Sequence, residues 1–361
     1  GGVFIENSTN IEIHSSTISE NTASDSGDGK GGGIYIQNSD LNLTNSSISN
    51  NVAESAGGGL SFHDTNNRST IINNSTIIEN VSGHLGGGIY MSGASPTITN
   101  VVISNNLAQD LGAGAFIDDE SYPIFSNVTF ANNAVIEPDS THGGGAIACY
   151  HGGSPTVNNS ILWNNSPQQI FLQSHYAVSS SITISYSDIQ GGYDGIDQQN
   201  ANNSVIWGEG NIDLDPNFTD IADGDFTLQA TSPCIDSGDP NSENDPDGTI
   251  ADMGAYFFNQ EEYNPFSFNQ SSLIAFYFFE TATIDGSPID ENDWIAAFRG
   301  DVCVGAQKWN TSECFNGVCE IVVMGDDGEE TTQNYMQPGE YPDFKILDVS
   351  EFELYDAVPS E

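Results

Sequence analysis

The chain has 361 residues, and its 51 Asp and Glu against 5 Lys and Arg give a formal charge of −46. That balance excludes nucleic-acid binding, which needs a basic footprint, and docking on anionic lipid. A hydrophobic share of 37%, with 19 Phe and 13 Tyr, excludes a disordered polyanion and suffices for a large core. No apolar run reaches the ~18 residues that a membrane span needs. No leader peptide is visible, and the first residues sit in the middle of a repeat. The chain therefore reads as part of a longer precursor.

In chain order, the first elements are copies of one unit. A Gly-rich triplet precedes a short apolar strand at Gly31-Gly32-Gly33-Ile34-Tyr35-Ile36, at Gly57-Gly58-Gly59-Leu60-Ser61-Phe62 and at Gly86-Gly87-Gly88-Ile89-Tyr90-Met91. It returns at Gly112-Ala113-Gly114-Ala115-Phe116-Ile117 and at Gly143-Gly144-Gly145-Ala146-Ile147-Ala148, while Gly1-Gly2-Val3-Phe4-Ile5 is a sixth copy. A second motif keeps the same phase, as in Asn74-Ser75-Thr76-Ile77-Ile78-Glu79-Asn80 and Asn100-Val101-Val102-Ile103-Ser104-Asn105-Asn106. A third strand, such as Thr97-Ile98-Thr99, is expected between them. Phase-locked strands without helical periodicity predict a β-solenoid of three short strands per coil.

In such a coil each strand pairs in parallel with its copies above and below, and alternate residues point inward. Val3, Ile34, Leu60, Ile89, Ala115 and Ala146 are expected in one internal stack, and Ile5, Ile36, Phe62, Met91, Ile117 and Ala148 in the next. The Asn residues at strand ends suit left-handed corners and coil-to-coil ladders.

These repeats resemble the right-handed parallel β-helix proteins of bacterial surfaces, including the polymorphic outer-membrane and pectate-lyase-like groups. The resemblance covers residues 1 to about 260. It includes a degenerate coil at Ser185-Tyr186-Ser187-Asp188-Ile189 and a closing segment from Gly210 to Tyr256. That segment is expected to cover the open edge of the last coil.

A short linker is expected at residues 261–265. Beyond it, strands at Ser272–Phe279, Trp294–Phe298, Cys303–Ala306, Glu320–Met324 and Phe344–Leu347 alternate with turn signals. This spacing predicts a β-sandwich over residues 266–361, similar to a domain that recurs near the C-terminal ends of secreted multidomain bacterial proteins. The fold class is therefore all-β, a right-handed parallel β-helix plus a small C-terminal β-sandwich. Cys314 and Cys319 flank a turn-like segment and are the expected disulfide. Cys303 is expected as a buried thiol, with pairing to either neighbour left open.

Lyases of the resembled class use Lys or Arg toward uronates, but the solenoid contains only Lys30 and Arg68. Asp118, Asp119 and Glu120 read as a surface acidic turn, and the six His residues lie at unrelated phases. No catalytic residue is assigned. Calcium is the expected cofactor, held by Asp239, Asn241, Glu243, Asp245, Asp247 and Asp252. Oxygen ligands at alternate positions before Gly248 imitate half of an EF-hand loop, whose second half is missing. If Ile34 and Ile36 point in, Phe4, Tyr35, Tyr90 and Phe116 form an outer apolar stripe, with Ser61 as a gap and Ile147 as the sixth copy. The stripe reads either as a platform for sugars or a partner chain, or as stacked β-formers under a loop. The expected function is non-catalytic adhesion or structure at an extracellular or cell-surface location. Partners are copies of itself in fibres, or surface glycans. The alternative is a polysaccharide-binding or polysaccharide-degrading enzyme.

Overall fold

The structure is a computed structural model. It describes all residues except 25–28, 66, 138–141, 175–177, 261–264, 311–313, 315–316, 350–352 and 360–361. Most of the expected linker, and His175, lie outside the described residues. The chain divides into two compact units, Gly1–Phe258 and Asn259–Glu361.

The first unit is a parallel solenoid. One sheet runs through Val3–Glu6, Ile34–Gln37, Leu60–His63, Ile89–Ser92, Ala115–Asp118, Ile147–Cys149, Ile170–Leu172 and Ile196–Gln198. The inward stacks follow the expected register from Val3 to Ala115. There the register slips by one: Ala115 pairs with Ile147 rather than Ala146, and Ile117 pairs with Cys149 rather than Ala148. The reason is local. The first glycine of each triplet needs a left-handed backbone, and in this coil that residue is Gly144 (φ 74°), matching Gly112 (φ 63°). Ala146 then takes the place of the third glycine, and a one-residue slip exchanges the two faces.

In the second sheet the second motif and the strand before it are separate strands in several coils, as at Leu41–Thr44 and Ser47–Ser49, and join into one bent strand at Thr70–Ile78, Thr97–Ser104 and Ile124–Ala131. The bend is a left-handed residue repeated through Asn45, Asn74, Asn100, Asn127 and Asn159. A third sheet, missed in the sequence, consists of two-residue strands at Thr22–Ala23, Val52–Ala53, Val81–Ser82, Leu107–Ala108 and Ala134–Val135. Such strands are too short to show a periodicity.

Polar ladders tie the coils together. The paired Asn residues divide the work: Asn50, Asn105, Asn132 and Asn164 take left-handed corners, and the next residue points inward. Asn51, Asn80 and Asn106 are fully buried. Their side-chain amides pass from coil to coil, with Asn51 Nδ2 donating to Asn80 Oδ1, Asn80 to Asn106 and Asn106 to Asn133, each at 3.0 Å. Buried amides of this kind are stable only when every donor and acceptor is matched.

The closing segment does not cap the last coil. Its Phe218, Phe226, Leu228, Cys234 and Met253 pack on Val102, Ala131 and Ile161, along the outer side of the second sheet. Asn127 Nδ2 donates to the Asp252 carbonyl, Asn132 Nδ2 to the Ile221 carbonyl, and Asn159 Oδ1 accepts from Asp239 N–H. The segment is a lateral strap, drawn there because these coils present Val102, Ala131 and Ile161 on that side.

The second unit is antiparallel. Ile274–Phe279 pairs with Cys319–Met324, and a four-stranded sheet holds Val302–Lys308, Trp294–Arg299, Asp343–Asp348 and Glu353–Ala357 in that order. Ile295, Val304, Phe344 and Ile346 from one sheet share a core with Ile321 and Val323 from the other, a small β-sandwich. Cys314 and Cys319 form a disulfide. Cys303 is a half-buried free thiol rather than a buried one.

Candidate functional site

The outer stripe is a continuous ladder of rings. Phe4 stacks on Tyr35 with centroids 5.2 Å apart and planes 2° apart, and Tyr90 stacks on Phe116 at 5.7 Å and 12°. The gap at Ser61 is filled from two residues downstream. The His63 imidazole lies 5.0 Å from Tyr35 and 5.3 Å from Tyr90, while its Nε2 is 2.9 Å from Ser61 Oγ. Because of the register slip the next residue of the column is Ala148, with Ile147 in the core, and Tyr150 continues the ring contacts at 6.0 Å from Phe116. Phe4 is 68% exposed, whereas Tyr90 and Phe116 are 8% and 2% exposed under cover of Leu85, Leu111 and Tyr150. Each interior rung stands ring to ring with its neighbours.

Beside this ladder lies a polar corner. In one column, Asn7, Asn38, Asp64, Asp119 and His151 adopt left-handed backbones in successive coils, with Gly93 between Asp64 and Asp119. The preceding column brings His63, Ser92 and Asp118 into register. His63 and His151 lie in adjacent columns of this corner, three coils apart, six residues after the left-handed Gly57 and seven after the left-handed Gly144.

Among the described residues, Asp118, Asp119 and His151 are the one trio of acidic or imidazole groups whose ligand atoms converge within 4.8 Å. His151 Nδ1 is 2.8 Å from Asp119 Oδ1 and 3.9 Å from Asp118 Oδ1. Ser92 Oγ donates to Asp119 Oδ2 at 2.7 Å. Burial, and then the charge of Asp119, push the Asp118 carboxyl up to about 6. Burial acts the same way on Asp119, but hydrogen bonds from Ser92 and His151 outweigh it and hold that group below its usual range. Burial and the nearby Asp118 push the Tyr90 hydroxyl up to about 12. Two carboxyls moved in opposite directions are the raw material of acid–base chemistry. Here they are sequence neighbours on one strand end, joined by the Asp119 N–H donating to Asp118 Oδ1 at 2.8 Å. Carboxyls that flank a glycosidic bond stand at least ~5 Å apart, on opposite sides of the sugar.

The residues expected to hold calcium lie in the strap, where most of them cap their own turns. Asp252 accepts from the N–H groups of Asp236 and Phe258, and Asp245 accepts from Asp252 N–H. Asp239 receives Asn241 N–H, Asp247 receives Thr249 N–H, and Glu243 is exposed. Burial pushes Asp252 up to about 7 and Asp245 up to about 6. These residues share one loop, yet their carboxylates do not form a converging trio of the kind found at Asp118, Asp119 and His151. The second unit holds a cleft of about 920 Å³ lined by Tyr277, Phe279, Ile295, Phe344 and Tyr355.

Residues 1–180 match the family described as right handed beta helix region, and that stretch is a right-handed β-helix. No curated protein matches the chain. Among solved structures, pectate lyase Pel9A is similar at 16% identity and a TM-score of 0.39, over 63% of this chain and 68% of that one.

Proposed function

We propose that the protein is a non-catalytic β-helix of the extracellular space or cell surface, serving adhesion or structure through contact with its own copies or with surface glycans. One observation carries this reading. At the interior rungs the ring faces that a sugar-stacking platform would need are taken up by the neighbouring rungs of the ladder. The charge of −46 and the Cys314–Cys319 disulfide support an oxidising, extracellular setting. A second reading, a glycan-cleaving corner, draws support from the opposed shifts of Asp118 and Asp119. The purified protein is to be incubated with a panel of neutral and acidic polysaccharides and assayed for new sugar ends. The expected result is none, with Asp118→Asn and Asp119→Asn behaving as the parent. Release of sugar ends that disappears in Asp118→Asn would overturn the non-catalytic reading.

A further inference from the structure

The outward column that contains Thr17, Ser47 and Thr76 in the first coils continues as Val102, Thr129, Ile161 and Asp188 under the strap. Asp188 is fully buried. Its Oδ1 accepts the Leu214 N–H at 3.2 Å, and its Oδ2 is 3.4 Å from Cys234 Sγ, which is also fully buried. Both partners belong to the segment that lies over the coil. We propose that residues 213–258 are a proton-controlled strap, seated on the solenoid while Asp188 keeps its proton and lifted from it when that proton is lost to solvent.

The surroundings of Asp188 favour the neutral acid. From the coil side it meets the apolar Ile161, its partner in the column. The charged groups facing Asp188 and Cys234 are Asp213 and Asp215 at the start of the strap and Asp252 near its end, all acids. A thiol is a weak donor and does little for a buried carboxylate. Burial accordingly pushes Asp188 up to about 7. The attachment is otherwise a handful of apolar side chains and long-range hydrogen bonds, including Ala255 N–H to Thr129 Oγ1 and Gly254 N–H to the Asn159 carbonyl. The coils beneath are held by continuous ladders, so the strap opens before they do. Opening uncovers Val102, Ala131 and Ile161.

The sign follows from linkage. A carboxyl whose value is raised on the closed strap favours closure in acid, and that preference is lost as pH rises through the raised value. Hydrogen exchange of the whole chain, corrected for intrinsic rates, compares amides of residues 213–258 with those of residues 89–104 at pH 5.5 and 8.5. With Asp188 near 7 when closed and near 4 when open, strap protection should fall about thirtyfold between the two pH values. The coil amides should change little. In Asp188→Asn the fall should shrink to less than about fivefold. Cys234→Ser, which supplies a stronger donor, should reduce the fall without changing the closed strap at pH 5.5. Equal strap protection at both pH values in the parent would overturn the proposal. So would an undiminished fall in both variants.

Discussion

The outer side of the second sheet has two halves that obey different rules. In the first three coils its outward column carries Thr17, Ser47 and Thr76, all at least partly open to water, and Thr76 Oγ1 donates to Ser47 Oγ at 3.0 Å. In the next four it carries Val102, Thr129, Ile161 and Asp188, all buried under residues 213–258. The corner asparagines change along it: Asn100 Nδ2 donates back to Asn74 Oδ1 at 3.2 Å, whereas one coil on Asn127 Nδ2 donates to the Asp252 carbonyl of the strap. The inner stacks are common to both halves. The interior therefore sets the solenoid, while the outward residues decide what lies upon it.

The ring ladder shows the same division, and the largest expected effect is there. Phe116→Ala, at a 2% exposed rung, should cost about 3–5 kcal/mol in denaturant unfolding. Next is Asn106→Ala, which removes the bonds to the Ile77 carbonyl and Asn133 Oδ1 and takes the Oδ1 acceptor from the Asn80 backbone N–H and Nδ2. About 2–4 kcal/mol should be lost, because buried partners are stranded on both sides. Met253→Ala, in the strap, should cost about 2–3 kcal/mol locally. It should speed proteolytic cutting within residues 213–258 while the coils stay resistant. Lowering pH from 8.5 to 5.5 should raise the melting temperature of the parent. Asp188 and Asp252, both raised to about 7 by burial, favour the folded state below that value and lose that contribution above it. Phe4→Ala should change stability by about 1 kcal/mol or less, since that ring is 68% exposed.

The triplets at Gly31, Gly57, Gly86 and Gly112 made the coil and its register legible, because only glycine readily takes the left-handed corner there. The same rule, applied to the last glycine instead of the first, misplaced Ala146 and Ile147. The strap's position was also written in the chain, in the change from Thr76 to Val102 and Ile161 along one column. It stayed hidden because residues more than a hundred positions apart form that contact, as between Thr129 and Ala255. The Asp118–Asp119–His151 corner was half legible. The acids were visible, but their union with His151 needs the column count across a 32-residue coil. The bent strands at Asn74 and Asn100 read as two strands because the corner residue interrupts the alternation on which strand reading depends.

The most direct test of the two-halves account is one matched pair of substitutions in a single column, Ile161→Thr under the strap and Thr76→Ile on the open side, each followed by urea unfolding. The account predicts a loss of about 2 kcal/mol for Ile161→Thr, from lost apolar burial and a buried hydroxyl, and a change within about 0.5 kcal/mol for Thr76→Ile. Equal losses at the two positions, or none at Ile161, would contradict it.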